Sequence, residues 1–582
     1  MGVTAARGWW IAAGLGLVGC SSLDPGLTGV TATDDTPVSS ATNPSSASDA
    51  GTSGGSPTSD PMGSASGDPT SFTTSSSTDA TTNATGPVDP PTTCAGRGGP
   101  AIAAEPTLAL TLFDRWEEAW LGSAAVADLD GDGAQEIVVP RANALIAWSA
   151  AGELKWKTVA EGGRIWASPV VAQFDGDPEL EVAFAAREKV YLLDHTGAIK
   201  PGFPVTWEDE LRSLAAADID GDGALDLAAA VARGTPTDVV HAWRADGSPV
   251  LGFPPNAKGS SGCDDKCYLA GCYDQNLALG DLDADGKADL VVPHDNAYVS
   301  IHQGSGAAFD AADIFPATKT PGVRYLHALA EAMQGYADDE QTALQAHFTN
   351  TPPTIADIDL DGTREILLLA SVQNAAQTDR ERGVALWAVR SDASRHPAFE
   401  TPVHLPDYLS GLWDYGDNIV AITNQVAVAD VRPEVPGLES VFVGFDGRIH
   451  AVSAAGQLLW STDYTADADV AAAGVAIGDL SGDGLPEIVF NTYSTAQDKG
   501  HLFILGNDGL DQHKLPLPRR GAMPVPTLAD VDGDGSAEIV VSLKDAEDKV
   551  ESVLVYTVPG SSADCLPWPT ARGNLLRDGL VP

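Results

Sequence analysis

The stretch Asp128-Leu129-Asp130-Gly131-Asp132-Gly133-Ala134-Gln135-Glu136 constrains this chain most, because variants of it recur eight times. Oxygen-bearing side chains stand at positions 1, 3, 5 and 9, with glycines at 4 and 6. Alternate carboxylates in a tight turn point inward, and the backbone carbonyl at position 7 can join them. Such an oxygen cage suits a hard cation, and its ligand number and flexibility favour Ca²⁺ over Mg²⁺. The opening is that of an EF-hand loop, but the closing acid comes at position 9 and not at 12. Apolar β-type runs flank it, Ala124-Ala125-Val126-Ala127 before and Ile137-Val138-Val139 after, so the loop is expected to join two strands.

The expected metal ligands of the first loop are Asp128, Asp130, Asp132 and Glu136. The second loop offers Gln173, Asp175, Asp177 and Glu181, and the third Asp218, Asp220, Asp222 and Asp226. The fourth has Asp281, Asp283, Asp285 and Asp289, and the fifth Asp357, Asp359, Asp361 and Glu365. In the sixth, Asp430-Val431-Arg432-Pro433 places a cation where a ligand belongs, so no metal is expected there. The seventh has Asp479, Ser481, Asp483 and Glu487, and the eighth Asp530, Asp532, Asp534 and Glu538.

Each copy sits in the same order of apolar runs. An Ala/Val-rich segment enters the loop and an Ile/Val/Leu-rich segment leaves it. A third run follows, such as Ala144-Leu145-Ile146-Ala147-Trp148, then a Gly turn and a fourth run such as Leu154-Lys155-Trp156. Short apolar runs bounded by Gly and Asp read as strands. Four strands in a repeat of roughly 45 to 50 residues are the mark of a propeller blade. The chain is therefore expected to be all-β, a propeller of eight four-stranded blades, or seven if the sixth unit is lost. The last unit lacks a fourth strand after Val553-Leu554-Val555-Tyr556, and Leu108 to Phe113 can supply it, closing the ring and removing exposed strand edges.

Three intervals run long: 252–277, 303–354 and 390–424. The second contains Arg324 to Phe348, whose Leu326, Leu329, Ala330, Met333 and Leu344 fit a helical hairpin. The third holds His404, Trp413 and Tyr415. Excursions from a rigid disc are where binding function tends to reside.

The repeated D-x-D-G-D-G-x-x-[ED]-[IL] pattern resembles the FG-GAP/VCBS repeat family, which includes the calcium-loaded β-propeller of integrin α subunits. The likeness covers Ala101 to the C-terminus, and Trp568-Pro569-Thr570-Ala571-Arg572-Gly573-Asn574 is similar to the tail of bacterial members. It implies structural Ca²⁺ at the seven intact loops.

The N-terminus reads as an export signal over residues 1–19. Arg7 precedes an apolar run from Trp9 to Gly19 that is too short to span a bilayer. Leu17-Val18-Gly19-Cys20 resembles the bacterial lipobox, which implies lipidation of Cys20, and Ser21 after it suggests an outer-membrane lipoprotein facing the surface or the periplasm. Residues 20–93 are rich in Ser, Thr, Pro, Asp and Gly, a composition that cannot offset chain entropy by burial, so a disordered stalk is expected ahead of the propeller at 94–582. An exported chain can form disulfides. Cys94 and Cys565 bracket the folded part and are expected to pair if its ends meet. Cys263, Cys267 and Cys272 fit a local staple better than a zinc site.

With 33 basic against 81 acidic residues the formal charge is −48, which argues against nucleic acid as a partner. Membrane contact is expected only through the lipid, and the chain is read as a monomer. Three functions compete. The first is a calcium-stabilised binding module for a protein or glycan. The second is a propeller enzyme, a polysaccharide lyase or hydrolase, with His294, His302, His327, His347 or His404 available for proton transfer. The third is a structural envelope component. No P-loop, HExxH or elbow motif in a strand context occurs, so no catalytic residue is assigned.

Overall fold

The apolar runs around each Asp-Gly loop form strands, and these gather into eight antiparallel blades closed in a ring. The computed structural model describes residues 93–581, apart from 115–116, 209, 233–239, 256–274, 295–296, 316–317, 321–322, 326, 334–342, 349–350, 375–377, 380, 410–424 and 546–550. The signal segment, Cys20, nearly all of the stalk, the Cys263–Cys272 cluster, Trp413 and Tyr415 lie outside the described residues.

Blade 1 shows the plan: Ala125–Ala127 innermost, then Glu136–Arg141, Ala144–Ser149 and the outer Leu154–Val159. The Asp-Gly loop joins the first two strands. Blades 2, 4 and 6 repeat this with four strands each. In blade 3 the outer strand is, among the described residues, one bridge between Trp243 and Pro249. In blades 5 and 7 the inner strand is broken in two, Gln345–His347 with Thr354–Ala356 and Val470–Ala472 with Ala476–Gly478. The sixth unit, for all its altered loop, builds an ordinary blade from Ala427–Ala429 to Leu458–Asp463. Eight blades are present, and the seven-blade alternative is set aside.

Blade 8 is completed by the start of the propeller. Thr107–Leu112 pairs antiparallel with Val553–Thr557, aligning Leu108 with Tyr556 and Leu112 with Val553. The inner strands of successive blades touch all the way round, from Ala125–Ala127 through to Thr527–Ala529 and back.

Burial explains why the middle strands read as unbroken apolar runs. Glu136–Arg141 and Glu181–Ala186 are buried at every position, because each is covered by a neighbouring blade on both faces. The outer Leu154–Val159, with one side in water, alternates. Core side chains fill the wedges between blades: Val138, Leu145 and Ala147 of blade 1 pack with Val171, Val182 and Phe184 of blade 2.

The helical hairpin expected over Arg324 to Phe348 is corrected at its flanks, while 326 and 334–342 lie outside the described residues. Its described parts hold one helical turn, Leu329–Ala332, and the flanks are strands. Val323–Arg324 pairs with Tyr298–Val299, and Gln345–His347 with Ser371–Gln373. The flanking residues Val323–Arg324 and Gln345–His347 meet free sheet edges, which satisfy more backbone groups than a short exposed helix.

The segment after Cys565 runs across the innermost strands of the ring. The Trp568 backbone exchanges hydrogen bonds with Ile477 of blade 7, and Leu528 of blade 8 donates to the Pro569 carbonyl. Val171, Ala216 and Leu279 of blades 2, 3 and 4 donate to Leu575, Leu576 and Asp578, and Ile355 of blade 5 to Gly579. The Arg572 N–H donates to Gln425 Oε1 beside blade 6, 2.7 Å. Arg577 completes the circuit with blade 1 through the Ala124 carbonyl, 2.9 Å. Arg572 and Arg577 are each 1% exposed. The chain's own tail thus fills the axis of the disc.

Candidate functional site

One contact recurs in all eight loops. The N–H of the second loop residue donates to the closing acid: Leu129 to Glu136, Phe174 to Glu181, Ile219 to Asp226 and Leu282 to Asp289. Ile358 donates to Glu365, Val431 to Glu439, Leu480 to Glu487 and Val531 to Glu538. All eight acids are buried, none above 2% exposed. Glu439 was missed by sequence reasoning because the sixth loop is one residue longer. Its Arg432 pairs with Glu434 instead of entering the cage.

The rest of the loop wraps the first acid. Asp128 accepts the N–H groups of Asp132 and Gly133, 3.1 and 2.9 Å, and the eighth loop does likewise at Asp530 with Gly533 and Gly535. The glycines carry positive φ, 70° at Gly131 and 89° at Gly133, which glycine alone adopts at little cost. Carboxylates of Asp128, Asp130 and Glu136 then converge, as do those of Asp175, Asp177 and Glu181, of Asp218, Asp220 and Asp226, and of Asp281, Asp283 and Asp285.

With one oxygen stapling the backbone, the closing acid turns the other inward. At Glu365 and Glu538 that inner Oε1 is buried, with Arg390 Nε 3.8 Å from the first and only the Thr557 side chain beside the second. Burial pushes Asp226, Asp289, Glu365, Glu487 and Glu538 up to about 7, and Glu439 to about 8. A buried acid held with a bare oxygen is stabilised by a cation beside it, and an all-oxygen donor set fits a hard divalent ion.

The loops are not equivalent. In the fifth, the residues meeting Asp359 and Glu365 include His396, which sequence reasoning did not single out. His396 Nε2 lies 3.0 Å from Asp359 Oδ2 while its Nδ1 accepts the Ala398 N–H, 3.2 Å. The proton is therefore on Nε2, and His396 donates to the cage without serving as a ligand. The seventh loop is covered. Arg97 and Gly99 N–H groups donate to the Gly482 carbonyl, 2.8 and 3.0 Å, leaving Asp479 and Ser481 buried. Cys94 is disulfide-bonded to Cys565, which ties this covering segment down.

The five histidines divide. His327 and His404 meet with ring centres 4.5 Å apart, next to Trp387. The His404 Nε2–H donates to the Arg382 carbonyl, 2.9 Å, and burial pushes His327 down to about 4. His294 and His302 sit together in blade 4, where His294 Nε2 and Ser300 Oγ are 2.8 Å apart and burial pushes His302 to about 4. His347 lies in the broken inner strand of blade 5.

Antiparallel alternation sorts the connections. Asp-Gly loops and outer turns such as Gly152 share one face of the disc. Second-to-third turns and links between blades share the other, so the long connections after blades 3, 4 and 5 all leave opposite the Asp-Gly loops.

No family model matches the sequence, and no curated protein matches it. Solved structures match in fold. Quinohemoprotein alcohol dehydrogenase from Comamonas testosteroni is 12% identical over 81% of this chain and 79% of its own, with a TM-score of 0.47. Bacillus licheniformis rhamnogalacturonan lyase PL11 is 14% identical over 79% and 76%, TM-score 0.41. The V. cholerae biofilm matrix protein Bap1 is 16% identical over 82% and 96%, TM-score 0.36. All three scores lie below 0.5, and none bears on activity or partner.

Proposed function

We propose that the chain is an envelope-anchored interaction module of the FG-GAP/VCBS type. Calcium at several of its Asp-Gly loops stiffens the disc, and the opposite face receives a protein or glycan. One observation carries this reading: the axis, where a propeller can bury a ligand, is occupied by residues 565–581 of the chain itself. Binding is thereby directed to the long connections between blades 3 and 6. The lipobox-like Leu17-Val18-Gly19-Cys20 and the Ser/Thr-rich stalk support tethering at a distance from a membrane.

A glycan array probed with the intact chain, in calcium and in chelator, tests the module. Saturable binding that calcium sustains supports a glycan partner. Turnover of a polysaccharide on the array, abolished by His327→Ala, supports the enzyme reading instead. Absence of both, with no envelope protein bound at micromolar strength, overturns the module. The anchor is tested separately: Cys20→Ser should move the chain from the membrane fraction to the soluble one.

A further inference from the structure

In blades 1 and 2 the residue three places beyond the outer turn reaches back into the Asp-Gly loop of its own blade. In blade 1 this residue is Lys155, three past Gly152. Its Nζ lies 2.7 Å from Asp130 Oδ2 and 2.8 Å from Glu136 Oε1. These are the position-3 and closing carboxylates, two of the groups a bound ion would need. In blade 2 Lys200, three past Gly197, bonds Asp175 and lies 2.8 Å from Glu181 Oε1. The second loop is engaged at a further point. Gln173 replaces the first aspartate, and its amide donates to the backbone carbonyls of Asp177 and Glu179, the latter at 3.1 Å. Glu179 supplies the position-7 carbonyl of that loop.

We propose that Lys155 and Lys200 are the resident cations of the first and second loops, which therefore take no calcium, whereas the eighth loop does. The inference rests on the calcium reading above. Ca²⁺ sits about 2.3–2.6 Å from each ligand oxygen. An ion on the inner oxygens of Asp130 and Glu136 would stand only about 3–4 Å from the ammonium hydrogen-bonded to the same two atoms, and like charges that close repel strongly. A lysine already in place meets the loop's need for positive charge. The eighth loop has no such substitute among the described residues: three past Gly560 stands Ala563, and the side chain beside Glu538 is the uncharged Thr557. The corresponding residues of blades 3 and 4, Val250 and Phe309, are uncharged. Arg244 does reach the third loop, but from the third strand and to Asp220 alone. The first two loops are neighbours, joined by the Leu180 N–H to the Leu129 carbonyl, 2.9 Å, so the substitution marks one sector of the disc.

Calcium bound per chain, counted by equilibrium dialysis at saturation, tests this. Asp532→Ala should lose one ion and Lys155→Met should gain one. Lys200→Met alone should gain none, because Gln173 still holds the Glu179 carbonyl, whereas Lys200→Met with Gln173→Asp should gain one. If Lys155→Met does not fold, Asp130→Asn decides: it should leave the wild-type count unchanged. An unchanged count in folded Lys155→Met, or an ion lost in Asp130→Asn, overturns the proposal while leaving the calcium reading intact. A wild-type chain that binds no calcium overturns that reading and this proposal together, since the proposal places an ion in the eighth loop.

Discussion

The guanidinium of Arg577 donates to the backbone carbonyl of Ala124, 2.9 Å away in space and 453 residues away in sequence. Arg577 also donates to the carbonyls of Pro169 and Ala571 and to Thr570 Oγ1, so one side chain ties the tail to blades 1 and 2. Burial without a carboxylate partner pushes it down to about 9.

Arg577→Met should therefore destabilise the chain by about 3–5 kcal/mol, because the Pro169 and Ala571 carbonyls lose their donor and that of Ala124 keeps only threonine hydroxyls. Arg187, with 60% of its side chain exposed, gives the contrast: Arg187→Met should change stability by less than about 0.5 kcal/mol. Urea unfolding of the two variants beside wild type checks both numbers.

Removing calcium with a chelator should lower the melting temperature, since the ion binds the folded chain only. Asp532→Ala should lower it by several degrees in calcium and make the remaining chelator effect smaller. Asp430→Ala, in the loop whose Arg432 is engaged with Glu434, should change neither value appreciably. Differential scanning calorimetry in both buffers separates these outcomes.

The Cys94–Cys565 bond closes a loop spanning 471 positions. Cross-links of long loops contribute about 3–5 kcal/mol in the chain-entropy view. Replacing both cysteines by serine should cost that much in urea. It should also raise hydrogen exchange at Arg97 and Gly99, whose N–H groups cover the seventh loop.

His241 supplies a pH dependence. It stacks on Trp243 with ring centres 4.3 Å apart, its Nδ1 accepts the Ala242 N–H, and burial pushes it down to about 4. An unfolded histidine titrates near 6.5. Between about pH 6.5 and 4 the unfolded chain holds a proton the folded one refuses, so stability from this group is full above the window and falls as pH drops through it. His241→Phe removes the titration. The stability gap between wild type and this variant should shrink by up to about 3 kcal/mol from pH 7 to pH 4 in saturating calcium. A gap independent of pH would show that His241 takes its proton while folded.

Much of the disc is legible in the residues. Ile137-Val138-Val139 and its counterparts read as strands because blades cover them on both faces. Leu108 to Phe113 reads as a closing strand because the last unit is one short. What escaped were contacts set by geometry between elements. Lys155, Lys200 and His396 enter their loops from across the blade, and no local pattern announces a side chain's reach. Glu439 was hidden by one inserted residue. Arg577 was invisible for a different reason: its partners are mostly backbone carbonyls, which carry no sequence signature.

The tail crossing the inner strands also orders events during synthesis. Thr107–Leu112 is made early but has no partner until Val553–Thr557 exists. The axis stays open until the chain has been made through Val581. Closure of the ring and filling of the axis therefore both wait on the stretch from Val553 to Val581.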